Sequence, residues 1–484
     1  MLMRPKRHKR VLHRGSPLPI ALAMLAIPIT PLATTAQVPA AAPGSPPVPQ
    51  TWKAGDYYPP RPTEWPHDRI APLFNQVSTA RLRQWHDLLA SEPHVAGSPG
   101  DERQIERIAT IFAEMGLEVE KHDFWAYLCE PVAAVLEIVE PGDKRTPLVL
   151  KEKILPEDLD SSNPDLSWGW NAYSGSGDVI AEVVYCNRGT KADFAMLKEL
   201  GVDLTGKIAL CRYGGNFRGY KVKFAQAAGA VGVVIFTDPA KPDEAKTPAY
   251  PAGGAQNDTC IERGSIVTTD YPGDPLTPGI EATRDAARLD PATVALPKLP
   301  VQPIGWGPAR EIMLRMASAD DALAPSPELP SGWQGGMNMP YRIVGGPAIK
   351  LRLKVEQTRE IVKSANIIGT LPGKDEPDQW VLVGSHHDAW GFGACDPTSG
   401  TICTLEAAAV FCEAARVGDR PRRTMKFCCW GAEEFGIVGS TALGQQVAVF
   451  RKGGGVVGVS FQSKQIIPNA QRQVSWVEGR LTLR

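Results

Sequence analysis

From about residue 360 the chain alternates short apolar runs with one helix-length segment: NIIGTL, WVLVGSH, SGTICTLEAAAVFCEAAR and TMKFCCW. WVLVG is continuously apolar rather than alternating, as in a strand buried on both faces, and such strands belong to sheets whose crossovers are helices. The pattern predicts an α/β fold, a mostly parallel sheet with helices on both faces. Upstream, STARLRQWHDLLASEPH and GDERQIERIATIFAEMGLEVE read as two amphipathic helices. Ile105, Ile108, Ile111, Phe112 and Met115 fall on one face of the second, Gly116 stops it, and a strand is expected from Leu117 to Asp123.

Between about 130 and 355 the texture changes to short β-branched runs divided by glycine and proline turns, such as GDVIAEVVYC, GKIALCRYG and AVGVVIFTD. This reads as a β-rich unit of its own, lying between the segments 67–129 and 356–450. Within it, GYKVKFAQAAGAVGVVIF reads as a helix packed by alanines and glycines against the strand that follows it. The N-terminus is basic, MLMRPKRHKRVLHR, then apolar, PLPIALAMLAIPITPLA, which predicts a signal peptide over 1–37 and a secreted or periplasmic protein. The apolar run is short of the roughly 20 residues of a membrane span, so no stable span is expected after cleavage. Residues 38–66 are proline-rich and read as a linker.

At 484 residues the chain is too long for one core. Lysine plus arginine total 52 against 53 for aspartate plus glutamate, which gives no field suited to nucleic acid and points to a small molecule or peptide as partner. Nine cysteines do not fall at the spacings of a disulfide framework and read as small buried hydrophobes.

Chemistry concentrates in GSHHDAWGFGACDPTSG (384–400) and WGAEEFGIVGS (430–440). His386 and Asp388 follow the carboxyl end of WVLVG, Glu433 and Glu434 follow TMKFCCW, and Asp396 precedes the helix beginning near Ser399. In open parallel sheets that edge is where ligands bind. Metal-assisted hydrolysis of a peptide bond needs ligands that leave a position open, a carboxylate able to bridge two ions and a separate base for water. Asp388, two residues from His386 in extended chain, is placed to hold the imidazole's other nitrogen, while His387 points away. Taken singly, each residue reads as a surface histidine or a solvated glutamate. Together at successive strand ends they argue for a metal site.

These stretches, with RPRRTMKFCCWGAEEFGIVGST and the upstream PHVAGSPGDERQ, resemble the co-catalytic zinc peptidases, most closely the glutamate carboxypeptidase branch. Residues 130–355, with RYGGNFRGYKVKFAQAAGAVGVVIF and GDPLTPG, resemble that branch's inserted protease-associated domain. The likeness runs over roughly residues 75 to 460. It implies an exopeptidase with two zinc ions, acting on small peptides or N-acylated acidic dipeptides. By that resemblance His386 binds one ion, Asp396 bridges both, Glu434 binds the other and Glu433 is the general base. Arg212, in CRYGG, matches an arginine that helps hold the substrate's terminal carboxylate; equally, it reads as a loop arginine in a domain interface. An aminopeptidase of the same family stays open. So does a non-catalytic binding protein like the transferrin receptor, against which the retained His386, Asp396, Glu433 and Glu434 argue, because carboxylates packed without a cation are costly.

The family pattern also needs a later aspartate and histidine, whereas the last aspartate here is Asp419 and the last histidine His387. An ungapped reading of GGGVVGVSFQSK puts Gln462 at the aspartate position, and a neutral amide is a poor substitute for an anionic ligand. The sequence therefore predicts an aberrant tail over 451–484, a truncated or frameshifted chain, an incomplete metal site and weak metal binding. PAGGAQNDTCIERG matches the branch's substrate loop poorly, and lack of the helical carboxyl-terminal domain argues against the family-type homodimer.

Overall fold

The computed structural model describes residues 67–239, 248–250, 252–320, 322, 324–347, 349–447, 461–463 and 477–479. The expected signal peptide, the linker and most of the tail lie outside these residues. In chain order, helices α1 (His67–Phe74), α2 (Thr79–Leu89) and α3 (Pro99–Glu114) lead into strands β1 (Glu118–Glu140) and β2 (Lys144–Pro147). Then come β3 (Asn171–Ala172), β4 (Gly177–Tyr185), α4 (Lys191–Glu199), β5 (Ile208–Arg212), α5 (Arg218–Ala227), β6 (Gly232–Phe236), β7 (Gly264–Ser265), β8 (Val301–Ile304) and α6 (Trp306–Ala317). The last part comprises β9 (Lys350–Leu371), β10 (Glu376–His386), α7 (Thr398–Arg416), β11 (Arg423–Trp430), α8 (Val438–Val447), β12 (Phe461–Ser463) and β13 (Val477–Gly479).

Helix α3 forms where the sequence signals converge. Ser98 caps it by accepting from the Asp101 N–H, Pro99 opens the first turn, and Asp101 and Glu102 face the positive end of the helix dipole. Ile105, Ile108, Ile111 and Phe112 are buried against Phe427 and Leu405, and Gly116 ends the helix at φ +83°. Helix α5 likewise stops at Ala227, and Gly229, at φ +87°, turns the chain into the fully buried β6.

Strand β1 continues well past the expected Asp123. It pairs with β9 in an antiparallel ribbon from Glu118↔Thr370 to Val139↔Lys350, with a bulge between Pro131 and Ala133 that accommodates the proline. Along its other edge, β9 pairs with β4 through Lys350–Val355 and with β11 through Ile367–Leu371. One nine-stranded sheet therefore runs β10-β11-β9-β4-β5-β6-β8, with β1 and β2 off that path. The expected mixed α/β architecture is present. Parallel pairing holds for β10 with β11 and for β4-β5-β6-β8, and the antiparallel ribbon that joins these two runs is the element the sequence did not announce.

Strands β5, β6 and β8 are buried throughout, whereas Trp380–Val383 of β10 are only half-buried. Among the described residues β10 has β11 as its one strand partner, which leaves an apolar run at the edge of the sheet. Strands β12 and β13 pair with each other, so Gln462 faces Glu478. No helix among the described residues is long and apolar enough to cross a membrane.

Candidate active site

His386 is the last residue of β10 and pairs with Trp430, the last residue of β11. The two parallel strands thus release their following segments at the same sheet edge. Asp388 is buried there, and its carboxylate accepts the N–H groups of Glu433 (2.9 Å) and Glu434 (3.2 Å). The His386 segment thereby fixes the turn that carries both glutamates. Asp388 supports the imidazole less directly than its position suggested. His386 Nδ1 lies 3.1 Å from the Asp388 main-chain carbonyl and 3.6 Å from Oδ1.

With Nδ1 committed to that carbonyl, Nε2 faces Asp396 Oδ1 at 2.9 Å and Glu433 Oε2 at 3.9 Å. Burial opposes charge on His386, but Asp388, Asp396 and Glu433 outweigh it and hold the imidazole well above the usual histidine range. Burial raises Glu433, reinforced by Asp388 and Asp396 and opposed by His386. Burial, with Asp396 and Glu433, pushes Glu434 up to about 8. The structure thus brings His386, Asp388, Asp396 and the glutamate turn to one edge. Its charge set is one imidazole among several carboxylates, which is short of positive charge.

That donor set suits zinc, the metal implied by the family resemblance: a neutral imidazole nitrogen and carboxylate oxygens are ordinary zinc donors, and Nε2 is the nitrogen left for the ion. Its spread is wider than a closed site, and among the described residues no group of three or more His, Cys, Asp or Glu side chains is gathered tightly enough to hold a metal ion.

Two supporting residues escaped the sequence reading. Asn366, buried on β9, accepts from the Gly431 N–H (3.1 Å) and donates to Gly439 O (2.8 Å), tying together both ends of the glutamate turn. A Cβ on Gly439 would come within 2.2 Å of Asn366 Oδ1, so glycine is required there. Asp101, beneath the site, accepts from the Gly97 N–H and Ser364 Oγ, each at 2.8 Å. His387 points away from the edge as expected. It is fully buried, with Nε2 3.0 Å from Ala365 O and Nδ1 3.5 Å from Asp101 Oδ1. Burial, opposed by these hydrogen bonds and reinforced by Asp388, pushes Asp101 up to about 7, so a protonated Asp101 can face the His387 Nδ1 lone pair. The one available signal was GSPGDE, which reads as a helix start and, within PHVAGSPGDERQ, shares in the family resemblance without singling out Asp101.

The central unit reaches the site through aromatics. Trp390, two residues after Asp388, packs on Trp170 (5.0 Å between ring centroids) and on Phe435 (4.8 Å), which follows Glu434. The Gly273 N–H donates to Gly436 O at 2.8 Å. Arg212, by contrast, is engaged inside the central unit. It is 5% exposed, its Nη1 meets Asp238 Oδ2 at 3.0 Å, and Nη2 donates to Asn187 Oδ1 and to Gly332 O. Its Nε has no partner among the described residues.

Comparison with known proteins agrees with this geometry. Residues 366–452 match the peptidase family M28 profile and residues 178–263 the PA domain profile. The chain is 34% identical over 389 residues to Aminopeptidase NAALADL1 of Mus musculus, covering 76% of this chain and 51% of that protein. It is 36% identical over 376 residues to a probable glutamate carboxypeptidase of Arthroderma benhamiae, covering 76% and 51%. Against the Glutamate carboxypeptidase 2 homolog of Caenorhabditis briggsae it is 33% identical over 390 residues, covering 76% and 49%. The chain spans about half the length of these curated relatives. The chain carries a peptidase family M28 domain and a PA domain.

Proposed function

We propose that this chain is an exported, zinc-dependent exopeptidase that hydrolyses small peptides or N-acylated acidic dipeptides. The observation that carries the reading is His386 at the carboxyl end of a parallel strand pair, its Nε2 2.9 Å from Asp396 and 3.9 Å from Glu433. His386, Asp396 and Glu434 would hold zinc, with Asp396 as the bridging carboxylate where two ions are present. Bound there, zinc supplies Lewis acidity toward a scissile carbonyl and acidifies a water.

Glu433 takes the proton from the attacking water and returns it to the leaving amine. Its raised proton affinity suits both halves of that transfer. Asp388 holds the Glu433 and Glu434 main-chain N–H groups, which keeps the two carboxyl groups on their turn. A substrate carboxylate reaching Arg212 would compete with Asp238, Asn187 and Gly332, which already hold its Nη1 and Nη2, and Nε has no partner among the described residues. The basic and then apolar amino-terminal segment supports export.

The test is hydrolysis by the zinc-supplemented chain of an N-acetylated acidic dipeptide and, separately, an aminoacyl anilide, with Glu433→Gln in parallel. Turnover of the first, lost in the variant, supports the reading. Turnover of the anilide alone assigns aminopeptidase polarity. Equal rates in both proteins remove Glu433 from the chemistry, and zinc binding without turnover of either substrate favours a binding protein.

A further inference from the structure

We infer that Cys186 and Cys211 form a disulfide that clamps the carboxyl ends of β4 and β5. The parallel register runs Val183↔Ile208, Val184↔Ala209, Tyr185↔Leu210, and the next step sets Cys186 against Cys211. The Cys186 N–H donates to Leu210 O at 2.9 Å, the bond that opposes those two residues in a parallel ladder. Directly opposed residues project to the same face, and adjacent strands lie about 4.8 Å apart. That separation is inside the Cα range that a disulfide spans.

The turn after Cys186 supplies a second observation. The Gly189 N–H donates to Cys186 O at 2.8 Å, and a Cβ on Gly189 would come within 2.9 Å of Cys211 Sγ, so that sulfur is directed at the turn which Cys186 begins. Both residues are fully buried and are free thiols in this structure, where Cys186 Sγ donates to Val184 O at 3.3 Å. Other strand cysteines have no such counterpart: Cys129 faces Arg359, Cys428 faces Ile368 and Cys429 faces Ile367.

Burial, and then the Cys211 thiol beside it, push the Cys186 thiol well up, so in the folded reduced chain Cys186 is a poor nucleophile. The bond therefore closes during folding, before the strands are covered. The two thiols lose two protons and two electrons to form one S–S bond, and a disulfide oxidant such as glutathione disulfide is reduced to two thiols. Asn187 and Arg212 follow the bridged residues directly, so the clamp also fixes the Arg212–Asn187 contact.

The test refolds the full chain from its reduced, unfolded state in glutathione disulfide, blocks free thiols with iodoacetamide and maps tryptic peptides without reduction. Expected is the 208–212 peptide joined to the peptide ending at Arg188, lighter than their sum by two hydrogen atoms and absent from Cys186→Ser and Cys211→Ser. The oxidised chain should also melt several degrees above the reduced one. Both cysteines alkylated, or either one joined to a different cysteine, would overturn the inference. The wild-type map decides even where a variant fails to fold.

Discussion

Two charge clusters in this molecule are built on opposite principles. In the PA domain, Arg212 and Asp238 are both nearly inaccessible, at 6% and 7% side-chain exposure, and they meet at 3.0 Å, with further hydrogen bonds to Asn187, Gly332 and Tyr341. At the sheet edge, His386 is the one imidazole beside Asp396, Glu433 and Glu434, and both glutamates are driven toward their protonated forms. The first cluster is neutral and closed, as buried ion pairs in a scaffold must be. The second sets one imidazolium, helped electrostatically by Arg218, against Asp396, Glu433 and Glu434, and the excess of carboxylates appears as raised glutamate proton affinities. Internal charge balance and solvent access, with Asp396 51% exposed, together distinguish the scaffold from the site.

Four measurements would break or sharpen this contrast. The largest effect is expected from Glu433→Gln in the zinc-supplemented enzyme, a loss of about a thousandfold in kcat with unchanged thermal stability. Steady-state kinetics beside a melting curve check both halves. Next, Asp238→Ala strands a buried guanidinium and should cost about 3 kcal/mol in urea unfolding, since breaking one partner of a buried pair is expensive.

Asp101 gives a pH signature of comparable size. Its proton affinity rises from the ordinary 3.8 to about 7 in the fold, so its stabilising contribution is complete below pH 3.8 and is lost as pH climbs through about 7. The difference in unfolding free energy between wild type and Asp101→Asn should therefore change across that window by an amount on the order of 4 kcal/mol. A flat difference would mean that Asp101 is already ionised with His387 as its counter-charge.

Glu434 gives an effect of the opposite sign to Asp238→Ala. Glu434→Gln should stabilise the zinc-free chain by an amount on the order of 4 kcal/mol near pH 8 and by almost nothing below about pH 4, where the carboxyl is largely protonated in either state. Destabilisation by this variant at pH 8 would erase the distinction between the two clusters.

What the sequence revealed, and what it hid, follows from the range of each interaction. The buried face and glycine stop of α3 were legible because they depend on a local period and a local φ. His386, Asp396 and the glutamate pair were legible as a set because apolar strands end visibly, and parallel topology brings their ends together. The extent of β1 was not. Its inward alternation through His122, Phe124, Ala126 and Leu128 continues past the expected end, but Pro131 interrupts the pattern, and only the bulge opposite β9 shows how the strand absorbs it.

Asn366 and Asp101 stayed hidden because their partners lie 65 to 263 residues away. Nothing local separates such residues from an ordinary strand asparagine or a helix-capping aspartate. The Asp388 carboxylate was placed correctly at the edge, yet its main partners proved to be the glutamate N–H groups, 45 and 46 residues on.

The most direct test of the central claim is zinc content by elemental analysis after dialysis, for wild type and His386→Ala. The described donors at this edge, one imidazole with carboxylates that are not gathered into a closed set, predict fewer than two zincs per chain, lost in the variant. Zinc retained undiminished by His386→Ala would contradict the assignment of this edge as the metal site.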